Sequence, residues 1–98
     1  MPLQIDPEEN ELRALLEVTS WERKRVLEIG CGEGRLTRRL ARLGAAIDAI
    51  DPDPALIHKA RESLLSRPAR NIRYRTGHAE RLFHADDKFD AVVFAWAL

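Results

Sequence analysis

Three glycines fall within five positions in Gly30-Cys31-Gly32-Glu33-Gly34, directly after the apolar run Val26-Leu27-Glu28-Ile29. A segment of helical period follows. Few local patterns restrict a fold so strongly. A short apolar run stopped by glycine reads as a buried strand, here interrupted by one carboxylate. Glycine permits positive φ and removes the side chain that would hold a ligand away from the backbone. The helix beyond begins with unpaired N–H groups and a positive dipole end. Strand, glycine turn and helix in that order make a cradle for an anionic or polar group.

The chain continues the alternation. From Arg35 to Leu43, Leu36, Leu40 and Leu43 share one helical face, and Arg35, Arg38, Arg39 and Arg42 point outward. Gly44 is placed as the helix stop. Ala45 to Ile50 forms a second short strand that ends at Asp51. Pro52-Asp53-Pro54 prevents its continuation and starts a helix, with Asp53 as cap and Pro54 in the first position. That helix runs to about Ser66, with Leu56, Ala60 and Leu64 inward. Asn71 to Thr76 alternates as a third strand, Gly77 to Lys88 is an irregular connection, and Phe89 to Trp96 is a fourth strand. At the front, Asp6-Pro7-Glu8-Glu9 carries a capping box, and Leu12, Leu15 and Leu16 form a stripe. An amphipathic helix is expected over about 7–20.

Strands alternating with helices indicate parallel βαβ units and a Rossmann-like doubly wound α/β sheet. Right-handed crossovers put the two linking helices on one face. A length of 98 residues holds one domain. Sixteen basic and sixteen acidic residues leave no net charge, so the overall basic balance of a nucleic-acid binder is absent. One Cys forms no internal disulfide, which fits a cytoplasmic location. No apolar stretch approaches a membrane span, and no signal peptide is visible at the N-terminus. With no paired His spacing for His58 and His84, no metal site is expected. Cys31 reads as a small residue in a tight turn rather than a nucleophile, and the outward arginines read as a solvated helix face.

Asp51 lies 21 positions after Gly30, at the end of the adjacent strand. A carboxylate there can accept from both hydroxyls of a ribose, the logic of nucleoside-cofactor folds. Their dinucleotide version has its third glycine where this chain has Arg35, which would not allow the same close helix–strand packing.

These segments resemble the class I S-adenosylmethionine-dependent methyltransferases. Glu28 to Gly34 looks like their first motif, and Ile47 to Asp53 like the second-strand motif. Gly77-His78-Ala79-Glu80-Arg81-Leu82 is similar to the segment flanking the adenine, and Phe89 to Ala95 to the fourth strand. The resemblance covers about Arg25 to Leu98, in the family's order. It implies S-adenosyl-L-methionine as cofactor, with the methionine part at Glu28, Gly30, Cys31 and Gly32 in the turn that Gly34 completes. It further implies Asp51 at the ribose, Pro52, His78 and Ala79 around the adenine, and Ala95 near the methionine amino group. His78 stands where the family often has Asp, and a neutral His accepts through one ring nitrogen only. Methyltransferases acting on amines of nucleic-acid bases resemble one another by Asp or Asn and two prolines after the fourth strand. Ala95-Trp96-Ala97 departs from that.

The resemblance therefore implies a methyltransferase for a small-molecule acceptor, with no catalytic residue assigned. Two readings stand beside it: a non-catalytic nucleotide-binding module, and a nicotinamide-dependent oxidoreductase domain. By the resemblance the sheet is truncated after the fourth strand, in the order 3-2-1-4, so the chain holds the N-terminal helix and the cofactor-binding half. The fourth strand is then expected to be an open apolar edge beside a poorly covered sheet face. Both invite homo-oligomerisation, and the 98 residues alone are expected to be inactive.

Overall fold

The computed structural model describes residues 3–5, 20–78 and 88–95. The helix expected over about 7–20 and most of the Gly77–Lys88 connection lie outside them. In chain order the elements are β1 (Leu3–Ile5), β2 (Arg25–Ile29), α1 (Arg35–Arg42), β3 (Ala46–Asp51), α2 (Pro54–Ser66), β4 (Ile72–Thr76) and β5 (Ala91–Phe94). The strands form one sheet in the order β1-β5-β2-β3-β4, and every pairing is parallel. The four strands read from the sequence thus stand in the expected order 3-2-1-4, as β4-β3-β2-β5.

Strand parity divides the core. Val26, Ile47, Ala49, Ile72, Tyr74, Ala91 and Val93 face α1 and α2, and with Leu36, Leu40, Ile57 and Ala60 they build the larger apolar cluster. Leu27, Ile29, Ile50 and Val92 point to the opposite face and form a second cluster, with Phe89 and Phe94 against it. Both linking helices therefore cover one face, as right-handed crossovers require.

The helix stripes differ in detail from the sequence reading. Leu36 and Leu40 are buried, but Leu43 is 42% exposed. The helix ends at Arg42, and Gly44 turns the chain at φ +96°, so Leu43 leaves the inward face. Thr37 takes a buried place instead. In α2 the buried line is Ile57 and Ala60, with Leu64 packed against it and Leu56 half-buried on its flank. The start of α2 is as expected: Asp53 accepts from the Ala55 N–H at 2.9 Å, with Pro54 in the first position.

Two expectations about open surface fail. Leu3, Gln4 and Ile5 pair with Ala91, Val92 and Val93, so the outer edge of β5 is occupied. The second face is not bare either, since Leu27, Ile29, Ile50 and Val92 are each no more than 5% exposed. Among the described residues neither that edge nor that face is left open for homo-oligomerisation. Among the described residues no helix is long and apolar enough to cross a membrane.

Candidate functional site

A parallel sheet collects the carboxyl ends of its strands along one edge. Here that edge holds the turn after β2, Asp51 at the end of β3, Thr76 at the end of β4 with His78 just beyond it, and Ala95 after β5.

The turn is built from left-handed glycines. Gly30, Gly32 and Gly34 have φ of +78°, +56° and +94°, a region that side chains rarely adopt. The Gly30 and Cys31 N–H groups both donate to the Ile50 carbonyl, at 2.8 and 3.0 Å, which ties the turn to β3. The glycines serve different ends. A Cβ on Gly34 would lie 2.9 Å from Cζ of Tyr74 and closer still to its hydroxyl. A Cβ on Gly32 would meet no atom within 4 Å. Gly34 admits a neighbouring side chain, whereas Gly32 borders open space.

Asp51 locks the turn to the next strand. Its Oδ2 accepts from the Gly32 N–H at 3.0 Å, and its Oδ1 accepts from the Asp53 N–H at 2.9 Å. An ionised carboxylate has about four lone-pair sites, so two such bonds leave capacity for two further donors. The Asp51 carbonyl accepts from the Gly77 N–H at 3.1 Å, which brings the start of the next connection to the same place. Pro52 and His78 are exposed beside it, and Ala95 is buried. Ala79 lies outside the described residues.

Glu28 sits beneath the turn, fully shielded from solvent. The Thr37 hydroxyl donates to its Oε1, and its Oε2 has no hydrogen-bond partner among the described residues. Burial pushes its carboxyl up to about 7, and the Thr37 bond works against that rise. Burial first, and then the charges of Glu28 and Asp51, push the Cys31 thiol up to about 12. It remains a thiol at neutral pH and donates to the Gly32 carbonyl at 3.7 Å.

Of the residues expected at the site, Glu28, Gly30, Cys31, Gly32, Gly34, Asp51, Pro52, His78 and Ala95 thus lie along one strand edge. Sequence reasoning missed Thr37 and Tyr74. Thr37 had a signal, as the one hydroxyl among the leucines and arginines of α1, near a strand with an interior carboxylate. Tyr74 had none beyond its inward parity, because its contact with Gly34 joins distant positions.

Residues 26–98 match a family described as a methyltransferase domain. A ubiquinone biosynthesis O-methyltransferase of Azorhizobium caulinodans is 42% identical over 69 residues, covering 70% of this chain and 27% of the relative. One from Methylocella silvestris is 44% identical over 69 residues, with the same two shares. The chain spans about a quarter of the length of these relatives. Among solved structures, the PH0226 protein of Pyrococcus horikoshii is similar at a TM-score of 0.74 and 33% identity, covering 87% of this chain and 40% of that one. An S-adenosylmethionine-dependent methyltransferase of Mesorhizobium loti shares the fold at a TM-score of 0.71 and 24% identity, covering 87% and 37%.

Proposed function

Because the chain belongs to the methyltransferase-domain family, we propose that it is the cofactor-binding part of an S-adenosylmethionine-dependent enzyme that methylates a small molecule. The observation that carries the reading is the Gly32–Asp51 arrangement. A carboxylate with spare acceptor capacity is held by two backbone N–H groups, beside a glycine whose missing side chain leaves open space. The residues fit the cofactor in two respects. Space for a ligand exists above Gly32, and the buried Glu28 Oε2 lacks a partner beneath the turn.

In this reading Asp51 accepts from the ribose hydroxyls, and Gly32 lets the ligand approach its backbone. Gly30 and Cys31 hold the turn on β3, while Glu28 supports it from below. Pro52, His78 and Ala79 edge the adenine, and Ala95 lies near the methionine end. S-Adenosylmethionine, when bound, supplies an electrophilic methyl group for direct displacement by an acceptor atom. The chain's contribution is binding, orientation and exclusion of water. Cys31 takes no part as a nucleophile, since it stays protonated. The relatives named for O-methylation in ubiquinone biosynthesis support a small acceptor bearing a hydroxyl.

Calorimetric titration with S-adenosylhomocysteine, and separately with NAD, tests this. S-adenosylhomocysteine is expected to bind and NAD is not. Asp51→Ala is expected to cost on the order of 1.5–3 kcal/mol for each lost bond to the carboxylate. Binding of NAD alone overturns the cofactor choice. Binding of neither favours a non-catalytic module, and an Asp51→Ala variant within about twofold of the parent affinity overturns the ribose role.

A further inference from the structure

A cavity of about 280 Å³ lies at the other end of β4 from the glycine turn, where the chain leaves α2 and enters the strand. Arg38, Arg42 and Arg67 line it together with Asn71, and its lining holds no acidic residue. The chain as a whole is neutral, so this is a local segregation of charge. Among the described residues Arg42 and Arg67 make no ion pair and no side-chain hydrogen bond. Arg38 donates to the Ser63 hydroxyl, which itself donates to the Ala60 carbonyl, so its guanidinium is held in place. The Asn71 amide donates to the Ala41 and Ala45 carbonyls at 2.9 and 2.8 Å, which fixes the wall of the cavity to the end of α1.

Two helix C-termini meet here, since Arg42 ends α1 and Arg67 follows α2. Each contributes roughly half a negative charge, so three guanidiniums leave about two positive charges uncompensated. We propose that this cavity binds a phosphate dianion, free or carried as a monoester on a small molecule. The charge matches, and guanidinium forks suit the oxygen geometry of phosphate. The volume admits a phosphoryl group and a small attached part, a water occupying about 30 Å³ in the liquid. An adjoining cavity of about 220 Å³ shares Asn71 and adds Arg25, Arg70 and Arg73 against Asp48, which extends the positive field around the entrance. Ile72 to Thr76 separates this place from the Asp51 edge by roughly 13–17 Å at strand rise, so the two sites are independent.

Calorimetric titration of the chain with inorganic phosphate and with glycerol phosphate tests the proposal. Saturable binding is expected at or below about 1 mM. An Arg42→Gln/Arg67→Gln variant is expected to lose at least tenfold with an unchanged far-UV spectrum, because both side chains are exposed. Arg39→Gln/Arg75→Gln makes the same change of charge at exposed positions outside the cavity, and is expected to stay within twofold. Tighter binding of glycerol phosphate assigns the site to a phosphorylated small molecule, and tighter binding of inorganic phosphate assigns it to the free ion. Absence of saturation overturns the proposal, as does equal loss in both variants. A single-stranded RNA oligonucleotide that binds at least tenfold tighter than either probe, with the same arginine dependence, also overturns it.

Discussion

Replacing Glu28 by Gln is expected to stabilise the fold at neutral and alkaline pH and to leave it nearly unchanged in mild acid. Glu28 is fully buried, and its carboxyl is raised from 4.5 to about 7. Desolvation penalises the charged form more than the Thr37 bond relieves it. The raised value means that the folded state holds the proton more tightly than the unfolded chain does. Stability from this residue is therefore fully present below about 4.5 and falls as pH rises toward 7, where the loss levels off. At about 1.4 kcal/mol per unit, the whole loss is on the order of 3 kcal/mol, most of it between pH 5 and pH 8. Glutamine keeps the shape, accepts from Thr37 and does not titrate. Urea denaturation of both proteins across that range isolates the residue, because every other titrating group is common to the pair. The variant's advantage is expected to grow by roughly 2–3 kcal/mol from pH 5 to pH 8. A difference that stays constant with pH refutes the argument and would mean that Glu28 remains charged in the folded protein.

Three further outcomes follow from the turn. Gly32→Val is expected to abolish S-adenosylhomocysteine binding while the far-UV spectrum stays near native, since its Cβ meets nothing of the protein and the backbone strain at φ +56° is the one cost to the fold; retained binding would show that this side of the turn does not face the ligand. Gly34→Ala is expected to lower stability by about 1–3 kcal/mol, from positive φ and from the clash with Tyr74, and Tyr74→Phe in that background should return part of the loss in thermal denaturation. Cys31 is expected to resist iodoacetamide at pH 8 in the folded chain and to react once urea unfolds it, because its thiol is buried and pushed up to about 12.

Much of the fold was legible because its signals are local. Gly30 and Gly44 end β2 and α1 through conformations that few other residues adopt, and Asp53-Pro54 begins α2 through a bond two residues long. The strands β2 to β5 alternate or run apolar over four to six residues, long enough to show their period. Asp51 could be placed beside the glycine turn from topology alone, since parallel strands end on one side. Helix rotation was less legible. Leu43 looks inward by spacing, but spacing does not report that the chain has already turned at Gly44. Ile57 and Leu56 are adjacent and equally apolar, and only the packing against β3 and β4 chooses between them.

The unread features share one cause, which is that they join distant positions. Leu3–Ile5 is too short to display a period, and its register with Ala91–Val93 spans nearly the whole chain. Its pairing satisfies an edge that would otherwise expose the backbone groups of an apolar strand. Thr37 shows the same dependence at shorter range. A threonine in a helix is an ordinary surface choice by propensity, yet here it is buried because Glu28 is buried opposite and needs a donor. The glycine motif announces a turn but conceals what supports it. Gly34 is required by a tyrosine three elements away as well as by its φ, and Gly32 by its φ alone, although the two look identical in the sequence. Their separation into one glycine packed against a side chain and one bordering open space is what makes the paired variants at 32 and 34 informative. The first should abolish binding at a stability cost that comes from its positive φ alone, and the second should add to that cost a clash that Tyr74 can release.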